Sequence, residues 1–163
     1  MLFHYWMLPI LFILHDFEEM IMVSDWKNRK KVQDFPKQYF GNTCHAPAFS
    51  IGVFEELILL ILFSLICQWF NLPLLYLAIC LAYTSHFITH YVMCWQFKDY
   101  VPGVISVTLE IPFMWLIITH YWQNSWLILL YCVPVFLITY LNIIFLHKMM
   151  ATFESWLLSY TQR

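Results

Sequence analysis

A histidine and three carboxylates, His15, Asp16, Glu18 and Glu19, interrupt a nearly continuous apolar and aromatic run over residues 1–14, which resumes at Met20-Ile21-Met22-Val23. Glu55 and Glu56, the pair His86 and His90, and Glu110 stand in similarly apolar surroundings. Side chains of these types ligate divalent cations or, without a cation, act as acids and bases in proton transfer. Inside a bilayer such groups are costly and mark functional sites. Each costs about 2.5–3.5 kcal/mol at a helix centre, even on a lenient insertion scale. Glu18, Glu19, Glu55, Glu56 and Glu110 left unpaired would together cost on the order of 15 kcal/mol, comparable to the stability of a whole domain. No Lys or Arg lies in the apolar stretches that hold them. Compensation must come from protonation, a histidinium, water or a cation, and a divalent metal answers carboxylates and histidines at once.

The elements that must position these groups follow from composition. Of 163 residues, 62% are hydrophobic and 11% charged, against about 25% charged in a soluble domain, and the mean hydropathy is +0.68. Apolar runs of this length predict an all-α polytopic membrane protein. The breakers Pro47, Asn71-Leu72-Pro73, Pro102-Gly103 and Gln123-Asn124-Ser125 divide it into about five transmembrane helices over residues 2–23, 47–70, 73–95, 103–122 and 126–148. Pro9, Pro112 and Pro134 are expected bends, and Ser125 an N-cap. Residues 1–148 form the transmembrane domain. In the tail, 149–163, Phe153, Trp156, Leu157 and Tyr160 repeat at helical spacing and predict an amphipathic helix lying on the membrane surface. The start of the chain lacks the basic and small-residue pattern of a cleavable signal. The five cysteines form no CxxC pair and read as small packing residues.

Lys27, Arg29, Lys30, Lys31 and Lys37 fall in one connection, with Lys98, Lys148 and Arg163 on the same side of a five-span topology. The positive-inside rule then puts the N-terminus outside and the C-terminus in the cytoplasm, in a plasma (inner) membrane. Counted from the helix ends, His15, Glu18, Glu19, Glu55, Glu56, His86, His90 and Glu110 share one layer roughly 8–14 Å below the cytoplasmic surface, with Asn142 beside it. At about 100° per residue, Glu18 and Glu19 flank His15 on one arc and Asp16 falls to its edge. Tyr83 shares a face with His86 and His90, and Ser106 with Glu110. Plainer alternatives stand beside this pattern: a solvated helix end for His15, Glu18 and Glu19, packing histidines for His86 and His90, and a wet cavity wall for Glu55 and Glu56.

Two motifs, His15-x-x-Glu18-Glu19 and Tyr100-x-Pro102-Gly103, with His90 ten residues before that tyrosine, together resemble the HXXEE domain family. That family is named for the first motif and also carries a further histidine and a YxPG motif. The resemblance runs from about residue 8 to residue 112. It implies a membrane-associated protein of similar size and brings no activity with it. The further histidine matches His90, with His86 as the alternative.

From the residues themselves, the leading expectation is a metal-dependent membrane enzyme acting on a lipid or lipid-like substrate. His15, Glu18, Glu19, Glu55, His86, His90 and Glu110 are its candidate ligands for Zn, Fe or Mn. Glu19, Glu56 and Tyr100 are its candidate acid–base groups. A metal-free acid–base isomerase, and a proton or metal transporter or accessory subunit, are the other two readings. Nothing in the charge pattern suggests nucleic-acid binding.

Overall fold

Apolar runs become helices here because only a helix satisfies every backbone N–H and C=O without water. A computed structural model describes residues 3–33, 39–41, 45–123 and 126–162. Lys37, Cys44 and the cap expected at Ser125 lie outside the described residues, as do the side chains of Lys30 and Lys31. The helices are α1 (Met7–Lys27), the short α2 (Lys30–Gln33), α3 (Ala46–Phe70), α4 (Pro73–Phe97), α5 (Val104–Tyr121) and α6 (Leu127–Thr161). Pro47 and Pro73 sit at the starts of α3 and α4, where a missing N–H costs no helical bond. Asn71 and Lys98 end α3 and α4 in the left-handed region, at φ 51° and 50°, a common way of closing a helix. Pro9, expected as a bend, falls in the first turn of α1, so its missing N–H breaks no helical bond.

Among the described residues, α3, α4, α5 and α6 are each long and apolar enough to cross a membrane. The chain is an all-helical, integral membrane bundle. Helix α1 is long enough too, at 21 residues, but carries the three carboxylates. Its two faces show how it sits. Leu8, Leu11, Phe12, His15, Glu19, Val23 and Trp26 are buried, whereas Ile10, Leu14, Phe17 and Ile21 are exposed. The polar groups of the row face inward and the apolar ones outward, as a lipid solvent requires.

One boundary differs from the sequence expectation. The tail is continuous with the last spanning helix: α6 runs unbroken for 35 residues through Lys148 to Thr161. No Gly or Pro interrupts residues 148–161, and Met149, Met150, Ala151, Leu157 and Leu158 favour continuation. At about 52 Å, α6 outruns a hydrocarbon core of about 30 Å. The aromatic stripe survives on this extension, with Phe153 against Trp156 and Trp156 stacked on Tyr160.

Helix contacts close a ring: α1 packs on α3 and α5, α6 on α3 and α4, and α4 on α5. Among the described residues three apolar clusters fill it, one of them Phe12, Phe49, Val53 and Met150, and the other two lie at different depths. Leu8, Leu11, Tyr76, Ile79, Met114 and Ile117 form one; Trp26, Met93, Phe97 and Val101 form the other. His15 and Glu19 lie between them along α1. The ends of α1 and α4 are tied together by Arg29 and Asp99 at 2.9 Å, and the Trp26 indole N–H donates to the Tyr100 carbonyl at 3.0 Å. The Arg29–Asp99 pair is half exposed, and exposed pairs contribute at most about 1 kcal/mol. Arg29→Ala is therefore expected to lower stability by less than about 1 kcal/mol in detergent denaturation, and to leave the site untouched.

Candidate metal centre

Helix α1 brings in His15 and Glu19 one turn apart, and α4 brings in His86 and His90 with the same spacing. Each helix thus presents two ligand-type groups in register on one face. His15, Glu19 and His90 are almost completely buried, while the His86 side chain is 43% exposed. One ligand atom from each of the four lies within 4.8 Å of all the others, a grouping able to hold a metal ion. Glu19 Oε1 is the common point, at 3.2 Å from His90 Nε2, 3.4 Å from His15 Nε2 and 4.0 Å from His86 Nε2.

The protons on these rings can be located from their outer partners. His90 Nδ1 lies 2.9 Å from the Pro102 carbonyl oxygen, which only accepts. That nitrogen therefore carries the hydrogen, and neutral His90 turns a bare Nε2 toward Glu19 and His86. His15 Nδ1 lies 3.0 Å from Ser106 Oγ. That hydroxyl is already 2.6 Å from Glu18 Oε2 and 3.0 Å from the Gly103 carbonyl, both acceptors. Its one proton goes to one of them, so His15 Nδ1–H donates to Oγ, and in the neutral ring the His15 Nε2 is bare as well. His15 Nε2 and Glu19 Oε1 are buried and have no hydrogen-bond partner. His86 Nε2 and His90 Nε2, 2.8 Å apart, share a single proton. Lone pairs thus converge on one point with almost nothing to neutralise them, a costly arrangement without a cation. The donor set also fits one: ligating histidines characteristically donate their other N–H to a carboxylate, a backbone carbonyl or water, as His90 does to the Pro102 carbonyl.

Gly103 makes room for this convergence. Its φ is +86°, and a Cβ placed there would stand 2.6 Å from His90 Cε1, 2.7 Å from His15 Cε1 and 2.8 Å from Glu19 Oε1. The sequence marked Gly103 as a breaker; in the fold it packs beneath the two histidines and Glu19.

The family model described as "Protein of unknown function with HXXEE motif" matches residues 6–117. The chain belongs to this HXXEE family. The match takes in α1, α3, α4 and most of α5, and with them all four residues of the group. No curated protein and no solved structure matches the chain.

The HXXEE motif divides between two roles. His15 and Glu19 enter the ligand group, but Glu18, expected as a third ligand from α1, does not. About 60° around the helix from His15 on the side away from Glu19, it faces the start of α5. There it accepts from the Ser106 N–H and hydroxyl at 2.7 and 2.6 Å, from the Ile105 N–H at 3.4 Å and from the Tyr100 hydroxyl at 2.7 Å. Helix α5 lacks a side-chain cap of its own, so the α1 carboxylate satisfies its first N–H groups and lies at its positive end. Tyr100 is correspondingly occupied; burial and the adjoining Glu18 carboxylate push its phenol pKa up.

Two further candidate ligands also have other partners. Glu55 accepts from Asn142 of α6 at 3.2 Å, and Glu110 accepts from the Tyr83 hydroxyl at 2.8 Å. Glu56 is half-buried on α3, within electrostatic reach of His86 and Glu19. Asp16, read from helical angles as lying at the edge, is buried instead, and its Oδ2 lacks a partner. Helix α3 packs on that side of α1 and closes it off. The sequence reading gave no role to Ser106 beside His15 or to the Pro102 carbonyl. A hydroxyl in the first turn of an uncapped helix was the available signal for the first; a backbone carbonyl leaves none.

Proposed function

We propose that His15, Glu19, His86 and His90 bind a divalent metal, with zinc, iron and manganese the ions suited to a set of imidazoles and one carboxylate, and that the protein is a membrane enzyme acting on a lipid-like or membrane-embedded substrate. The observation that carries the metal is the buried convergence of His15 Nε2 and Glu19 Oε1, both without a partner, on the Nε2 of His90, with one proton between His90 and His86. When bound, such an ion supplies a Lewis acid that polarises a substrate oxygen or makes water a stronger nucleophile. His90 and His15 hold their lone pairs inward through Pro102 and Ser106. Glu19 contributes charge, and Glu56, near the exposed His86, is the group best placed to accept a proton from an attacking water. Exposure of His86 alone among the four supports approach of substrate from that side, and the apolar outer faces of the bundle favour a substrate delivered through the membrane. Lys27, Arg29, Lys98 and Lys148 support a cytoplasmic placement for the ends of α1 and α4, with the N-terminus outside.

The test is elemental analysis of detergent-purified protein. Wild type is expected to carry metal in stoichiometric amount and His15→Ala to lose most of it while remaining folded. Wild type free of metal after purification without chelator, and unable to take up zinc, iron or manganese, overturns the reading. A metal-free acid–base enzyme is the second reading, drawing on Asp16 Oδ2 and Glu110 Oε1, buried oxygens without partners. Activity that survives chelation would favour it.

A further inference from the structure

Every residue from Tyr100 to Ser106 that touches the ligand group does so from outside it, and two of these contacts decide which nitrogen each buried histidine presents. We propose that Ser106 is a positioning residue: its hydroxyl, anchored by Glu18, holds His15 in the form protonated at Nδ1, with Nε2 turned to the ligand group, as the Pro102 carbonyl does for His90. This deepens the metal reading and rests on it for its purpose, but the tautomers themselves can be observed without metal. The geometry leaves the hydroxyl little freedom. Ser106 Oγ is 2.6 Å from Glu18 Oε2, 3.0 Å from the Gly103 carbonyl and 3.0 Å from His15 Nδ1, so it gives its proton to an acceptor and receives one from His15. The Ser106 N–H, donating to the same Glu18 oxygen at 2.7 Å, fixes the hydroxyl's own position. Glu18 is fixed in turn by Tyr100 at 2.7 Å. The α4–α5 turn and the start of α5 thereby reach both histidines, the first through the Pro102 oxygen and the second through the Ser106 side chain. The second sequence motif thus has a physical role, since it places the groups that orient the ligands supplied by α1 and α4.

The experiment is nitrogen NMR of the full-length protein labelled at histidine, stripped of metal, in detergent at mildly alkaline pH, with His15 and His90 signals assigned from the His15→Ala and His90→Ala spectra. Wild type is expected to show both rings protonated at Nδ1. Ser106→Ala is expected to shift His15 toward the form protonated at Nε2 and leave His90 unchanged, which serves as the internal check that the variant is folded. Ser106→Thr, which restores the hydroxyl, is expected to restore the wild-type pattern. Zinc affinity by competition titration should fall about 10–100-fold in Ser106→Ala, the usual cost of removing an outer partner of a ligating histidine, and recover in Ser106→Thr. The proposal is overturned by His15 protonated at Nε2 in wild type, or by a Ser106→Ala protein whose His15 tautomer and zinc affinity are those of wild type. A Ser106-dependent tautomer in a wild type that binds no metal would instead overturn the metal reading and leave the positioning role standing.

Discussion

Gly103→Ala is expected to be the most damaging single-methyl substitution in the bundle, removing the metal and destabilising the fold together. A non-glycine residue forced to φ +86° costs about 1–3 kcal/mol. Its Cβ would also stand 2.6–2.8 Å from His90, His15 and Glu19 at once, and overpacking of this kind costs a further 1–3 kcal/mol or so. None of these neighbours can yield cheaply, because Pro102 and Ser106 hold the two rings and Glu19 is buried between them. The expected loss is therefore roughly 2–6 kcal/mol, with metal content falling in parallel. Gly52→Ala is the matched control. A Cβ at Gly52 would meet Met150 Sδ at 2.8 Å, on a flexible side chain, with no positive φ to contend with. Thermal unfolding of both variants, alongside elemental analysis, makes the comparison. A Gly103→Ala protein as stable and as metal-loaded as Gly52→Ala would show that the backbone at Gly103 does not wedge the site open.

Glu19→Gln is expected to separate metal binding from stability, moving them in opposite directions. The carboxylate Oε1 faces the bare Nε2 of His90 at 3.2 Å and that of His15 at 3.4 Å, so without a cation three acceptors oppose one another. An amide nitrogen at that position would bring an N–H donor to the His15 lone pair, while the His90 lone pair already meets the proton shared with His86. The new hydrogen bond contributes about 0.5–1.5 kcal/mol net, and a buried charge is removed as well. Metal-free Glu19→Gln should therefore be more stable than metal-free wild type by about 1–2 kcal/mol at mildly alkaline pH. Its metal affinity should fall by more than the 10–100-fold typical of an outer partner, since a ligand itself is lost. Calorimetry of the chelator-treated proteins and a competition titration with zinc measure the two quantities. A Glu19→Gln protein that is less stable than wild type with metal removed from both would mean that protons already neutralise the site and that it needs no cation.

The helical bundle and its inward-facing polar groups were legible in the sequence because a bilayer imposes simple rules. Helices are obligatory, about 20 apolar residues are needed to cross, and Pro, Asn and Gly mark the turns. The matching burial of His15, Glu19, His90 and Glu110 follows from the cost of charge in lipid. Helical angles also put His15 and Glu19 on one face of α1, and His86 and His90 on one face of α4. What spacing alone left open was which neighbour each face meets. Glu18 and Glu19 are consecutive and equally acidic, yet one caps α5 and the other meets three histidines, because α5 and α4 approach α1 from different sides. Glu55 and Glu110 were equally eligible by depth and are held elsewhere by Asn142 and Tyr83. The α6 extension reads as a separate surface helix on composition, yet nothing in its local chemistry stops the helix at Lys148. The sequence by itself therefore determined that apolar helices carry His15, Glu19, His90 and Glu110 inward, since solvent and helix geometry act on each segment alone. Only the tertiary structure decided which four come together, since that depends on where the α4–α5 turn and the start of α5 place Pro102, Gly103 and Ser106, and packing between helices sets that position.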